Sequence, residues 1–126
     1  PDNKIYIITS DMDYLQLATE TIVPINLKYK SLQDSKQSFK NCKKDLFCKI
    51  VMGDKSDCIP SVFKKCGIKT AEKYFNDNDA FIKQLNIENA DAVYARNKQL
   101  IDFNMIPVEY VNEVKQQLDE LSIKLV

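Results

Sequence analysis

An α/β N-terminal end joined to a mostly α-helical body is the fold class this sequence predicts, on three observations. Lys4–Thr9 (KIYIIT) is β-branched and aromatic with almost no polar interruption, which reads as a buried, parallel strand. From Ser38 the apolar residues Phe39, Cys42, Leu46, Phe47 and Ile50 recur at three- and four-residue spacing, the period of a helix with one buried face. Val111, Val114, Leu118 and Leu121 repeat that period near the C-terminal end.

Beyond the first strand, Asp11–Leu17 reads as the first turns of a short helix. Thr21–Leu27 is a second β-rich stretch that runs into Lys28–Leu32, as paired strands or a strand and a loop. The helix that follows Ser38 ends at Gly53, placed as a C-cap. Ile59–Phe63 is expected to begin another short helix, with Pro60 tolerated in its first turn. Cys66-Gly67 is a break, and Lys69–Phe75 resumes helical spacing. Asn76–Asp79 offers N-cap side chains to a helix over Ala80–Leu85. Ala90–Leu100 is a longer amphipathic helix, Met105-Ile106-Pro107 breaks it, and Val108–Leu121 forms the last one. No repeat or linker interrupts this order.

The 126 residues are 44% hydrophobic and 29% charged, enough for one compact domain or a piece of a larger one and unlike a disordered chain. Apolar runs such as Ile5–Thr9 and Ile22–Ile25 are too short to span a bilayer, and Pro1-Asp2-Asn3-Lys4 does not read as a signal peptide. There is no histidine, so Ser-His-Asp and Cys-His catalysis are excluded and any metal must be held by oxygen or sulfur. Cys42, Cys48, Cys58 and Cys66 show no C-x-x-C pairing. They read as small, mostly buried reduced thiols rather than a zinc site or a disulfide scaffold.

A net charge of zero conceals three unlike segments. Residues 1–27 carry one lysine against four carboxylates, residues 28–73 carry twelve lysines against five, and residues 74–126 carry five basic side chains against nine acidic ones. The central surplus of seven suits a polyanion, although solvated surface lysines would give the same tally.

Asp11 and Asp13 lie just past the carboxyl end of the first strand, where open α/β sheets bind ligands. An Asp-x-Asp pair there can offer two hard oxygens to a divalent cation. Asp54 and Asp57 repeat the theme at a helix end, with a spacing that sets both on one side of a turn. Gathered carboxylates repel unless a cation neutralises them. The plainer reading makes Asp11 and Asp57 helix N-caps and leaves the others solvated. An EF-hand is excluded, because Gln16 stands at its sixth position and Ile22 at its twelfth.

The run Gly53-Asp54-Lys55-Ser56-Asp57-Cys58-Ile59-Pro60-Ser61-Val62, then Cys66-Gly67-Ile68-Lys69-Thr70-Ala71, is expected to join an acidic turn to two short helices across a glycine. Such a hairpin presents backbone N–H groups to a phosphodiester without reading bases. The segment resembles the helix–hairpin–helix (helix-three-turn-helix) signature of the flap endonuclease/5′–3′ exonuclease family, commonly GDxxDNIPGVxGIGxKTA. Ser10-Asp11-Met12-Asp13-Tyr14-Leu15-Gln16-Leu17 is similar to that family's second acidic motif, SxDxDxLQL. Arg96-Asn97-Lys98-Gln99-Leu100-Ile101-Asp102-Phe103 is similar to its RNxxLIDF stretch. The sequence departs at Ser61 and Lys64-Lys65-Cys66, where the family has more glycine and one residue fewer, and Cys58 replaces the common Asn. A haloacid-dehalogenase-like phosphatase also combines strand-DxD with GDxxD. Its first motif wants Gly-Thr where this chain has Tyr14-Leu15, and the spacing of the two Asp pairs is short for that fold, which leaves it the lesser alternative.

The resemblance implies a PIN-like nuclease whose late sheet strands occupy residues 1–36 and whose helical helix-hairpin-helix domain occupies residues 37–126. It implies that the chain is a C-terminal portion and that a missing N-terminal nuclease segment supplies further carboxylates and a basic arch. Asp11, Asp13, Asp54 and Asp57 would be the catalytic, metal-holding residues, with Mg²⁺ (or Mn²⁺) as cofactor and K⁺ as a candidate ion at the hairpin. Lys55, Lys64, Lys65, Gly67, Lys69, Thr70 and Lys73 would bind duplex DNA with a 5′ end or flap. The implied activity is phosphodiester hydrolysis in replication or repair. The alternative is a non-catalytic structure-specific DNA-binding module. A monomer with no membrane partner is expected, in the nucleus or cytoplasm or at a viral or phage replication site.

Overall fold

Ile5, Tyr6, Ile7 and Ile8 form β1 (Ile5–Ile8), which pairs in parallel with β2 (Ile22–Ile25), Ile5 opposite Ile22 and Ile8 opposite Ile25. This is a computed structural model that describes residues 3–125, with side chains described through Ser122. Between the strands, Met12–Leu17 winds as a 3-10 helix, the tighter form of the expected short helix. Beyond β2, Asn26 Oδ1 accepts from the backbone N–H groups of Lys28 and Lys30, and Ile25 pairs with Ser31 in an antiparallel bridge.

The strands correct one expectation. Ile5, Tyr6 and Ile8 are more than half exposed, although such an apolar run reads as buried on both faces. Two strands form the whole sheet among the described residues, so no further strand or helix layer covers the outer side of β1.

The helical body comprises α1 (Cys42–Met52), α2 (Ile68–Asn76), α3 (Asn78–Glu88), α4 (Asp91–Ile101) and α5 (Val108–Leu125). Asn41 and Asp77 N-cap α1 and α3 through their side chains, as Asx residues do. Asp45, almost fully buried, accepts from the Ser38 hydroxyl and the Phe39 N–H and so fixes the entry into α1. The core lies among α1 to α4, with Cys48, Val51, Val62, Phe63, Ala71, Phe81, Leu85 and Ala90 buried. Phe81 is its hub, in edge or tilted contact with Phe47, Phe63, Tyr74 and Tyr94, geometries that stabilise beyond simple burial.

Gly53 ends α1 as expected. Its φ of +73° favours glycine, and a Cβ there would run into Ile59 O and Pro60. The expected helix over Ile59–Phe63 does not form. Asp54 and Ile59 instead exchange both backbone hydrogen bonds in an antiparallel bridge, closing a turn that contains Cys58 at φ +58°. Pro60 follows that bridge and so opens no helix. The cysteines are all free, but only Cys48 is buried; Cys42 and Cys66 are half-buried and Cys58 is exposed. No helix among the described residues is long and apolar enough to cross a membrane.

Candidate metal and nucleic-acid site

Three stretches far apart in sequence meet at the carboxyl end of β1. Gln16, in the 3-10 helix after β1, donates from Nε2 to Ile101 O at 3.0 Å and accepts at Oε1 from the Phe103 N–H at 2.9 Å. Tyr14 adds an edge contact to the Phe103 ring. Asn97, fully buried on α4, donates from Nδ2 to Ile50 O at 3.1 Å and Pro60 O at 2.7 Å. One side-chain amide thus ties the end of α1 to the turn after it. These are the Gln of LQL and the Asn of RNxxLIDF, so both outer motifs act as struts that hold the acidic turns in register.

The carboxylates divide into two kinds. Asp13 and Asp54 converge on Lys49 of α1, whose Nζ lies 2.5 Å from Asp13 Oδ1 and 3.1 Å from Asp54 Oδ2. Their side chains are 19%, 17% and 23% exposed for Asp13, Asp54 and Lys49 respectively. Asp13 Oδ1 is thus in direct contact with the ammonium, the nearest partner of its charge. Asp11 is exposed and its Oδ1 accepts from the Asp13 N–H as cap of the 3-10 helix, the capping role of the plainer reading. Asp57 is exposed on the turn and caps no helix among the described residues. No three or more Asp, Glu or Cys side chains gather at metal-binding distance among the described residues. The expected four-aspartate cluster is therefore not assembled: one aspartate from each pair points inward and the other lies on the rim.

Lys49 is the residue that sequence reasoning passed over. Its signal was positional, since it stands one helical turn before the Gly53-Asp54 turn. Burial pushes its ammonium down, but pairing with Asp13 and Asp54 outweighs that and holds it above the ordinary lysine range. The Ser56 hydroxyl, donating to Asp54 Oδ1, holds the Asp54 carboxyl down to about 2; burial opposes this and Lys49 reinforces it. Asp13, Lys49 and Asp54 line a cleft of about 320 Å³ with Gln16, Lys55 and Ile101 on its walls. Two hard carboxylate oxygens that converge on one point of a cleft fit Mg²⁺, which keeps several waters and needs only one or two protein carboxylates.

The basic face lies beyond the turn. Lys55, Lys64, Lys65, Gly67, Lys69 and Lys73 are exposed and Thr70 is half-buried. Gly67 caps α2 without a side-chain hydrogen bond, and the space where its Cβ would stand is open. Lys69 and Lys73 share a face of α2 by their four-residue spacing. The Lys64 N–H donates to Glu88 Oε2 at 3.0 Å, and Gln84 holds the other oxygen of that carboxylate. The hairpin is thereby anchored to α3.

Two parallel strands, the first leading into carboxylates, followed by this helical body resemble part of the fold of two solved structures. The chain superposes on the T5 D15 protein co-crystallised with metal ions with a TM-score of 0.66 and 19% identity, over 79% of this chain and 43% of that one. On a mutant of the T5 5′-exonuclease the TM-score is 0.64 at 20% identity, over 79% of this chain and 48% of that one. The chain thus spans less than half the length of these structures, and at these identities the likeness is one of fold. No protein-family model and no curated protein matches the chain.

Proposed function

We propose that this chain is the C-terminal part of a divalent-metal-dependent 5′–3′ exonuclease or flap endonuclease, and that it binds duplex DNA through the hairpin between α1 and α2. The convergence of Asp13 and Asp54, from two motifs far apart in sequence, on one cleft at the carboxyl end of a parallel strand carries this reading. Asp13 and Asp54 would hold Mg²⁺ or Mn²⁺, with the rim residues Asp11 and Asp57 beside them. When bound, such an ion neutralises phosphate charge and activates water for phosphodiester hydrolysis.

The chain's own residues do the rest. Gln16 and Asn97 keep the two acidic turns together, so the inner carboxylates need little reorganisation. The N-terminus of α2 carries no side-chain cap, so with Lys69 and Thr70 in its first turn it would offer backbone N–H groups to a phosphate. Lys55, Lys64, Lys65 and Lys73 spread positive charge around it, with K⁺ as a further candidate at the hairpin. Backbone contacts of this kind position a duplex without reading its sequence. A preceding nuclease segment would complete the ligand set and cover the exposed outer face of β1.

The test is incubation of the chain with Mg²⁺ or Mn²⁺ and a labelled 5′-flap DNA, with binding followed in parallel. Metal-dependent product supports the nuclease reading. Tight, salt-sensitive binding without product supports the second reading, a non-catalytic DNA-binding module. That reading is favoured by one observation, the lack of a gathered ligand cluster among the described residues. Absence of both binding and product overturns both readings.

A further inference from the structure

Resting on the metal reading above, we infer that Lys49 is a resident counter-cation that holds Asp13 and Asp54 together without metal and must withdraw for a divalent ion to enter. It sets the affinity of the site as well as its architecture.

The geometry supplies the argument. A lysine ammonium has three donors and no acceptor, so it cannot join a metal's coordination shell while charged. It lies 2.5 Å from Asp13 Oδ1 and 3.1 Å from Asp54 Oδ2, the positions a cation shared by those oxygens must take. Ammonium and metal are therefore mutually exclusive occupants. One positive charge set against two carboxylates leaves the cleft one charge negative, which still favours a dication. Cys48, Ile50 and Val51 around Lys49 are buried, so its backbone is fixed. Its four-carbon stem is flexible, and withdrawal of the ammonium toward the open cleft needs only rotamer changes.

The experiment uses the whole chain and Mn²⁺, titrated by electron paramagnetic resonance without DNA. Lys49→Met, similar in length and uncharged, is expected to bind Mn²⁺ about tenfold tighter, as loss of a competing, partly buried charge predicts. In metal-free buffer the same variant should melt at lower temperature than the unmutated chain and gain more from added Mn²⁺. Lys49→Arg, which keeps the charge, should bind Mn²⁺ within about twofold of the unmutated chain. If Lys49→Met fails to fold, the ¹⁵N signal of the Lys49 ammonium in the unmutated chain gives the reading. It should shift in proportion to Mg²⁺ saturation. Mn²⁺ binding by the unmutated chain with no tightening in Lys49→Met, or an ammonium signal indifferent to saturating Mg²⁺, overturns this inference and leaves the nuclease reading intact. No Mn²⁺ binding by either protein overturns both.

Discussion

Asp13 and Asp54 share one lysine inside a cleft and are each less than one-fifth exposed, whereas Lys55, Lys64, Lys65, Lys69 and Lys73 project into solvent. No carboxylate lies within ion-pair distance of those five lysines among the described residues. The two regions are a single turn of chain apart and follow opposite rules. In the cleft the two inner carboxylates share Lys49, and the turns that carry them are held by hydrogen bonds from Gln16 and Asn97. On the face the charges are unpaired and their backbone, not their side chains, is what the fold holds in place. Chemistry at one point demands the first arrangement, and contact with a long polyanion suits the second.

The largest expected effect separates the two regions outright. Asp54→Asn should lower metal-dependent cleavage by about 10³-fold, the several kcal/mol a bound metal supplies, while the DNA dissociation constant stays within about twofold. Cleavage and binding assays on the same 5′-flap substrate read both, and parallel loss of the two would erase the distinction. Gly53→Ala attacks the turn that both regions depend on. Its positive φ and the close approach of Ile59 O and Pro60 predict a loss of about 3 kcal/mol in urea unfolding, with cleavage and binding falling together.

Smaller effects belong to the face. Lys69→Ala and Lys73→Ala should each weaken binding regardless of sequence and lower the slope of log K against log salt by about 1. A sequence-dependent loss would contradict backbone contact. The thiols report the same contrast more weakly. Iodoacetamide at pH 8 should modify exposed Cys58 well before Cys48. Burial, the largest influence, pushes the Cys48 thiol up to about 11 from 9.0, with Lys44 opposing it. The folded chain then keeps a proton that the unfolded chain loses near 9.0. That contribution to stability is full below pH 9 and is lost as pH rises from 9 toward 11. Thermal unfolding at pH 8 and pH 10.5, compared with Cys48→Ala, measures it.

The helical body was readable in the sequence because its signals are local. The spacing of Phe39 to Ile50, the glycine at 53 and the Asx residues at 77 to 79 each mark an element within a few residues of itself. The short helix at Ile59–Phe63 was misread for a non-local reason. Pro60 is an acceptable first-turn residue, but the strand-like bridge from Asp54 to Ile59 takes its neighbour's backbone hydrogen bonds first. The exposure of β1 was hidden for a similar reason, since a KIYIIT run states what a strand can bury and not what is present to bury it. In the site, motif spacing identified the aspartates. Which of each pair turns inward, and that Lys49 lies between them, depends on the Gln16 and Asn97 struts, which link residues more than thirty positions apart.

The most direct measurement is anomalous diffraction from a crystal of the chain soaked in Mn²⁺. The account predicts a manganese peak between Asp13 and Asp54, about 2.1 Å from an oxygen of each, with the Lys49 ammonium moved away. A structure with saturating Mn²⁺ in which Lys49 still joins the two carboxylates and no peak lies between them would contradict it.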